Sequence, residues 1–554
     1  MSPAKTATQR KAKALHKAKI ARDAKTGWLI MLYMAGDNNL SEAMVLSLQT
    51  LKTLRVGGSA GDAAIVAQLD PSGVGLPTQT YDFTHARASS RFHLDECRTI
   101  GAAPTEANTG NPNALSGFIK WAHNLYPNAT RHLLVLSGHG SGTTEDFLLR
   151  DDNAADALSI DELGIALSDA YQVLKKKIDI LGMDACFMSM GEVCYQIREH
   201  VDILIGAEGM EPQFGWPYSR ILDEAKRLAR GKILEPEQLA KTIVEQYVEF
   251  YSDYDRSAGR SVDLAAINLR KLHLLHGPFT RLIRALNSAK VAEKEDKRSR
   301  LVYAHWRAQT YKADQFVDLY DLCEQTRIQF DGVKGATNIV KACVEVKEGL
   351  TKCVLKSGCS GFAYQHSHGL SVYFPWSAVR ADYRKLKFAT SSGWGKFLER
   401  FVSNTRRDKR FDEGQKRHDD RAVRALTTVL TQAHIQPLQN AMARRKGIGT
   451  LRASVKLAFE QRLFRQLKRA PRCDLPFEDL STNVGNSLGR TSFGPHNSRY
   501  TGEGSRYTGE GSRYTGEGSR YTGEGSRAPA DREKSMKNLP VVIGKTFWPT
   551  DPEP

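Results

Sequence analysis

Five short apolar runs pattern the first part of this chain and limit what it can fold into. They are Trp28–Met34, Ala63–Leu69, His132–Ser137, Ile178–Met183 and Val201–Ala207. Each is rich in Val, Ile or Leu and too brief for a helix. Helical stretches such as Ala114–Leu125 and Ile160–Leu174 lie between them. Strand-like runs alternating with helices predict βαβ units and a mostly parallel sheet. Ligands of such sheets bind beyond the carboxyl ends of the strands, so chemistry is expected at that edge.

The 554 residues leave room for about three units. Residues 27–225 read as the α/β core. Residues 226–404 read as an α/β accessory region, with strands predicted at Val262–Leu269 and Leu370–Phe374. The net charge of +17 sits on the flanks. Residues 1–26, a basic disordered arm, carry +7, and residues 405–472, a basic helical segment, carry +12. Within the latter, Leu451, Val455, Ala458, Phe459, Leu463, Phe464 and Leu467 space out one helical face. Residues 473–554 read as a disordered tail. Its four copies of Arg-Tyr-Thr-Gly-Glu-Gly-Ser at 499–526 have no apolar face to bury. Leu539–Trp548 is a short apolar stretch that docks somewhere or is a fortuitous tail.

No apolar run approaches the ~20 residues of a membrane-spanning helix. The basic start has no apolar core of a secretory signal. The cysteines are scattered, unlike a disulfide scaffold. These features predict a cytoplasmic chain.

Two of the runs lead into reactive residues. His132–Ser137 is followed by Gly138-His139-Gly140-Ser141-Gly142, and Ile178–Met183 by Asp184-Ala185-Cys186-Phe187-Met188. A His and a Cys at the ends of parallel strands would share one edge. Together a thiol and an imidazole suit nucleophilic catalysis. Either residue alone is more often structural, so the pairing carries the argument.

The His-Gly and Asp-Ala-Cys blocks, 47 residues apart from His to Cys, resemble those of caspase-like peptidases. Further blocks narrow the resemblance to the clostripain family. They are Tyr33-Met34-Ala35-Gly36-Asp37-Asn38-Asn39-Leu40, Gly215-Trp216-Pro217-Tyr218, Asp318-Leu319-Tyr320-Asp321-Leu322 and Gly369-Leu370-Ser371-Val372-Tyr373-Phe374-Pro375. The likeness covers about 27–402. It implies a caspase-like α/β/α sandwich and a cysteine endopeptidase working through a dyad. Cys186 would be the nucleophile and His139 the general acid/base. The Gly140 and Cys186 backbone N–H groups would hold the oxyanion. Asp184 would line the pocket for the residue before the cut bond and favour Arg or Lys there. Asp37, Glu208 and Glu211 are further acidic candidates for substrate binding at that edge. Self-processing at Arg150 or Lys175–Lys177 is implied in the same way, and the tail's repeated arginines are candidates for trimming.

No metal site is expected. Cys343, Cys353, Cys359, His366 and His368 lack the spacing of a zinc site. Calcium dependence occurs in the family that the chain resembles, but no EF-hand loop accompanies it. No phosphate loop or serine-hydrolase elbow is present. The expected partners are protein or peptide substrates, with nucleic acid or an anionic surface against the basic flanks. The rival reading is a silent caspase-like scaffold acting through those flanks.

Overall fold

The structure is a computed structural model. It describes residues 26–407, apart from 54–62, 74–75, 85–93, 95–96, 100–105, 144–147, 254–259, 312–314, 362 and 376–377, together with 545–548. The expected arm, the 405–472 helix and the repeats therefore lie outside the described residues, save the few at 405–407.

In chain order the first part holds β1 (Thr26–Gly36), α1 (Ser41–Thr53), β2 (Ala63–Pro71), β3 (Gln79–Asp82), α2 (Pro112–Leu125) and β4 (Ala129–Ser137). Then come β5 (Leu148–Asp151), β6 (Asp156–Leu158), α3 (Ile160–Leu174), β7 (Ile178–Asp184), α4 (Gly191–Ile197) and β8 (Val201–Gly206). Beyond them lie α5 (Tyr218–Ala229), α6 (Pro236–Tyr251), β9 (Val262–Asn268), α7 (His273–Ser288), α8 (Glu295–Arg307), β10 (Thr310–Tyr311) and β11 (Phe316–Asp318). The last are α9 (Leu319–Phe330), α10 (Thr337–Cys353), β12 (Val354–Ser360), β13 (Ser371–Tyr373), α11 (Lys387–Ser392), α12 (Trp394–Arg407) and β14 (Lys545–Trp548).

The main sheet has nine strands in the order β14-β12-β9-β8-β7-β4-β1-β2-β3. All five expected apolar runs are its central strands, and they pair parallel. The flanking pairs are antiparallel. Helices cover both faces, so these strands alternate between two cores rather than between core and water. Along β1, Leu29, Met31, Tyr33 and Ala35 join one core with α2, α3, α4 and α7 to α10. Trp28, Ile30, Leu32 and Met34 join the other with α1, α5 and α6. The result is a three-layer α/β/α sandwich.

The boundary expected near residue 225 falls within one continuous sheet, and both cores draw on residues from either side of it. Strands β9 and β12 continue the sheet begun by β8. A second sheet, β10-β11-β13, braces the site from the accessory side. The apolar stretch at the chain's end supplies β14, antiparallel to β12.

Buried carboxyl groups tie the two parts together. Glu192 of α4 accepts the Tyr373 N–H at 3.0 Å and the Tyr383 hydroxyl at 2.7 Å. Burial pushes its carboxyl from an ordinary 4.5 up to about 7, against those hydrogen bonds. Because the folded value is the higher one, the folded chain holds a proton that the unfolded chain has lost between these values. This group's contribution to stability therefore falls as pH rises through that window. Glu192→Gln keeps the acceptor and cannot ionise. Relative to wild type, its unfolding free energy is expected to rise by about 3 kcal/mol between pH 4.5 and pH 8. Denaturant melts at several pH values measure this, and a difference flat with pH would refute it.

Candidate active site

The parallel pairing of β4 and β7 sets Ser137 opposite Asp184. His139 and Cys186 each lie two residues beyond those partners, which accounts for their spacing. The Gly138 N–H reaches the Asp184 carbonyl at 3.2 Å, joining the two loops at their root. Gly140 lies directly against Cys186. A Cβ there would sit 2.4 Å from the Cys186 carbonyl oxygen and 3.1 Å from its nitrogen. Only glycine permits this approach.

Cys186 is fully buried, and its sulfur accepts the Glu211 N–H at 3.2 Å. Its thiol in turn points at the Glu211 carbonyl at 3.9 Å. Phe187 takes a left-handed φ of 61°, turning the chain sharply after the cysteine. Its N–H bonds the Gly209 carbonyl at 2.9 Å, and its ring packs on Phe316 of β11 at 5.7 Å. The accessory sheet thus braces the turn that presents the thiol. His139 is 3% exposed. Its Nε2 lies 2.7 Å from Oδ1 of Asn39, and its carbonyl accepts the Leu149 N–H of β5.

Asp184 is 1% exposed, and its Oδ2 accepts hydroxyls from Ser137 and Tyr218, each at 2.7 Å. Gly215 closes over it at φ +64°, where a Cβ would lie 2.7 Å from both carboxylate oxygens. Tyr251 holds the Gly215 carbonyl at 2.6 Å. Glu211 is buried in the same region. The Tyr247 hydroxyl is buried without a hydrogen-bond partner. Burial first, and then the charge of Glu211 with smaller contributions from neighbours including Asp184, holds this phenol well above its ordinary value.

The other two acids expected here make different contacts. Glu208 accepts the Gly369 N–H at 2.7 Å on the accessory side. Burial, then the charges of Asp318 and Asp263, pushes its carboxyl well up. Asp37 accepts the Asn153 N–H at 2.9 Å and clusters with Asp70 and Asp151. The structure therefore brings His139, Gly140, Asp184 and Cys186 together and directs Glu208 and Asp37 elsewhere. Asn39 was quoted in the sequence only as part of a longer motif. No spacing rule pointed to it, because a loop residue 100 positions from the histidine meets it only through β1–β4 pairing.

The calcium question can be put to this structure. Asp37, Asp70 and Asp151 are buried, with carboxylate oxygens within 4.8 Å of one another. Thr78 donates to Oδ1 of Asp70 at 2.6 Å, while Oδ2 is buried with no partner. Burial pushes the Asp70 carboxyl up to about 7. Hard carboxylate oxygens with one valence open suit a divalent cation such as calcium, so these residues fit. These three acids come from separate segments, so no spacing in the sequence groups them. The Cys and His residues weighed for zinc form no such group among the described residues.

A strand-end His and Cys on a sandwich of this kind define a caspase-like cysteine-peptidase fold. The Clostripain family model matches residues 32–401. The chain belongs to the clostripain family of cysteine peptidases. Clostripain of Hathewaya histolytica is 25% identical over 363 residues, covering 53% of this chain. This chain spans 65% of that relative's length. A secreted C11 cysteine protease of Bacteroides thetaiotaomicron, solved with an irreversible peptide inhibitor, aligns with TM-score 0.51 and 18% identity. The alignment covers 67% of this chain and 99% of that one. An inactive zymogen C11 protease of Parabacteroides distasonis aligns at TM-score 0.49 and 18% identity, over 66% and 98% of the two chains.

The expectation of a cytoplasmic chain is corrected here, since the Bacteroides relative is a secreted protease. The cysteine argument for it fails on physical grounds as well. All seven described cysteines are buried, and no disulfide joins them. Buried thiols are shielded whatever the compartment, so their number says nothing about it.

Gly140→Ala tests the junction. The new methyl group must displace the Cys186 backbone, and a misplacement of ~1 Å costs about 100-fold in rate. Peptide hydrolysis is expected to fall at least that far with circular dichroism unchanged. Retained activity would show that the two loops separate without penalty.

Proposed function

We propose that this chain is a cysteine endopeptidase that cuts after Arg or Lys through Cys186 and His139. The observation that carries the reading is the level pairing of β4 and β7, with Gly140 packed on Cys186. In this reading the Cys186 thiolate attacks the substrate carbonyl carbon. The tetrahedral oxyanion takes hydrogen bonds from the Gly140 and Cys186 N–H groups. His139 then protonates the leaving amine, and water hydrolyses the thioester to free the acid and the thiol.

Support for a basic residue before the cut bond comes from the acids beside the thiol. Asp184 and Glu211 are both buried there. An incoming Arg or Lys would bring a positive charge to these buried acids. Gly215 must swing away from Asp184 to admit it.

Asp37, Asp70 and Asp151 would hold calcium in this reading. When bound, calcium would neutralise the three charges and fix the loop after β1. Self-processing falls at Arg150 or Lys175–Lys177. The Arg150 carbonyl accepts from Asn38, and its guanidinium pairs with Asp152 at 2.8 Å, so that bond must first open. The basic flanks are proposed to contact anionic partners. Such binding would weaken steeply with salt and persist in Cys186→Ala.

The test is hydrolysis of fluorogenic peptides ending in Arg, Lys, Asp or Leu, by wild type and Cys186→Ala. Cleavage after Arg and Lys is expected, and it should vanish in the variant. Asp184→Asn should lower kcat/KM on the Arg peptide at least ~30-fold. Cleavage confined to Asp or Leu would reject the pocket assignment, and unchanged cleavage by Cys186→Ala would reject the nucleophile. Calcium is tested apart from activity, by thermal shift. A chelator should lower the melting temperature of wild type but not of Asp70→Asn.

A further inference from the structure

We infer that Asn39 is a positioning residue that fixes the tautomer and angle of His139, which makes the dyad a Cys-His-Asn arrangement. The inference rests on the peptidase reading for its kinetic consequence, not for its geometry.

Strands β1 and β4 are neighbours, with Met34 opposite Ser137. Their carboxyl ends therefore release Asn39 and His139 side by side. Oδ1 of Asn39 and Nε2 of His139 are 2.7 Å apart. An amide oxygen only accepts, so the ring must carry its hydrogen on Nε2. The neutral ring then keeps its lone pair on Nδ1, ready to take the thiol proton. After that transfer both nitrogens bear hydrogen, and the Nε2–H bond to Asn39 remains. One acceptor thus serves both states of the ring without reorientation.

The surrounding loop is built to hold this acceptor still. Asn38 donates to the Ala35 carbonyl at 2.9 Å and to the Arg150 carbonyl at 2.8 Å. Its Oδ1 accepts the Leu40 N–H at 2.9 Å. Two of these bonds clamp the backbone on either side of Asn39, and the third ties the loop to β5. Gln213 reaches the Asn39 carbonyl at 3.5 Å, and Gln213 lies two residues after Glu211, whose N–H meets the Cys186 sulfur. Asn39 therefore stands between the segments that present the two reacting groups.

Titratable groups enter the site from each side. Cys186 comes from the β7 loop and Glu211 from the β8 loop. Asp37 lies on the loop of Asn39. Arg150 and Asp152, paired at 2.8 Å, lie on the segment bonded to the His139 backbone. All stay unchanged in the variants below.

The experiment compares full-length wild type, Asn39→Ala and Asn39→Asp at fixed calcium. In Asn39→Ala, kcat is expected to fall about 100-fold with KM changed less than threefold. Asn39→Asp restores an acceptor and adds a charge that favours the imidazolium. It should regain most of kcat, and the alkaline limb of its rate profile should move up by about one pH unit. Equal losses in both variants with unmoved limbs would overturn the inference, since a merely structural residue behaves that way. Histidine-selective 15N spectra supply a readout that needs no turnover. At alkaline pH, His139 of wild type should show a protonated Nε2 and a bare Nδ1, and Asn39→Ala a mixture. A wild-type ring protonated on Nδ1 overturns the inference even if the enzyme is active. A wild type inert to every peptide rejects the peptidase reading, and the spectra then decide Asn39 alone.

Discussion

The site depends on one register. Pairing Ser137 with Asp184 across β4 and β7 decides that the residues two beyond each strand arrive at the same height. In a parallel pair a slip of one residue turns every side chain to the opposite face. Both faces here are buried against helices, so a slip would disrupt two cores at once. The packing of the sheet, remote from any chemistry, thus fixes the juxtaposition of a thiol and an imidazole. Gly140 then removes the last steric obstacle between the two loops.

Negative charge is the second organising constraint. Ten Asp and Glu residues are buried among those described, against Lys297 and Arg298 as the buried Lys and Arg. Backbone N–H groups and hydroxyls hold many of these acids. Asp263 accepts the Glu208 and Gly209 N–H groups, and burial still pushes its carboxyl up to about 7. Such carboxyls are unfavourable for stability at neutral pH.

Much of this was legible in the sequence because parallel strands covered on both faces read as unbroken apolar runs. The five central strands needed no long-range information. The strand-end positions of His139 and Cys186 were legible for the same reason, since each lies just past such a run. What escaped depends on pairing order. Asp37, Asp70 and Asp151 come from three segments that meet only once β1, β2 and β5 are in place. Asn39 meets His139 only because β1 lies beside β4, and sequence alone does not state which strands are neighbours. Glu208 was placed at the substrate edge by its position after β8. Which side a loop acid faces is decided by Gly369, 161 residues away.

The strand at 545–548 closes the open side of β12. An uncovered outer strand invites pairing with other chains, and here the chain's own end fills that position. The chain is therefore tied to this sheet at β14 as well as through its earlier strands. Severing it at one arginine would not free the terminal piece. It would leave a separate peptide whose β14 pairs with β12 through strand hydrogen bonds. Were that peptide to leave, the sheet would lose its ninth strand and β12 would become an open edge.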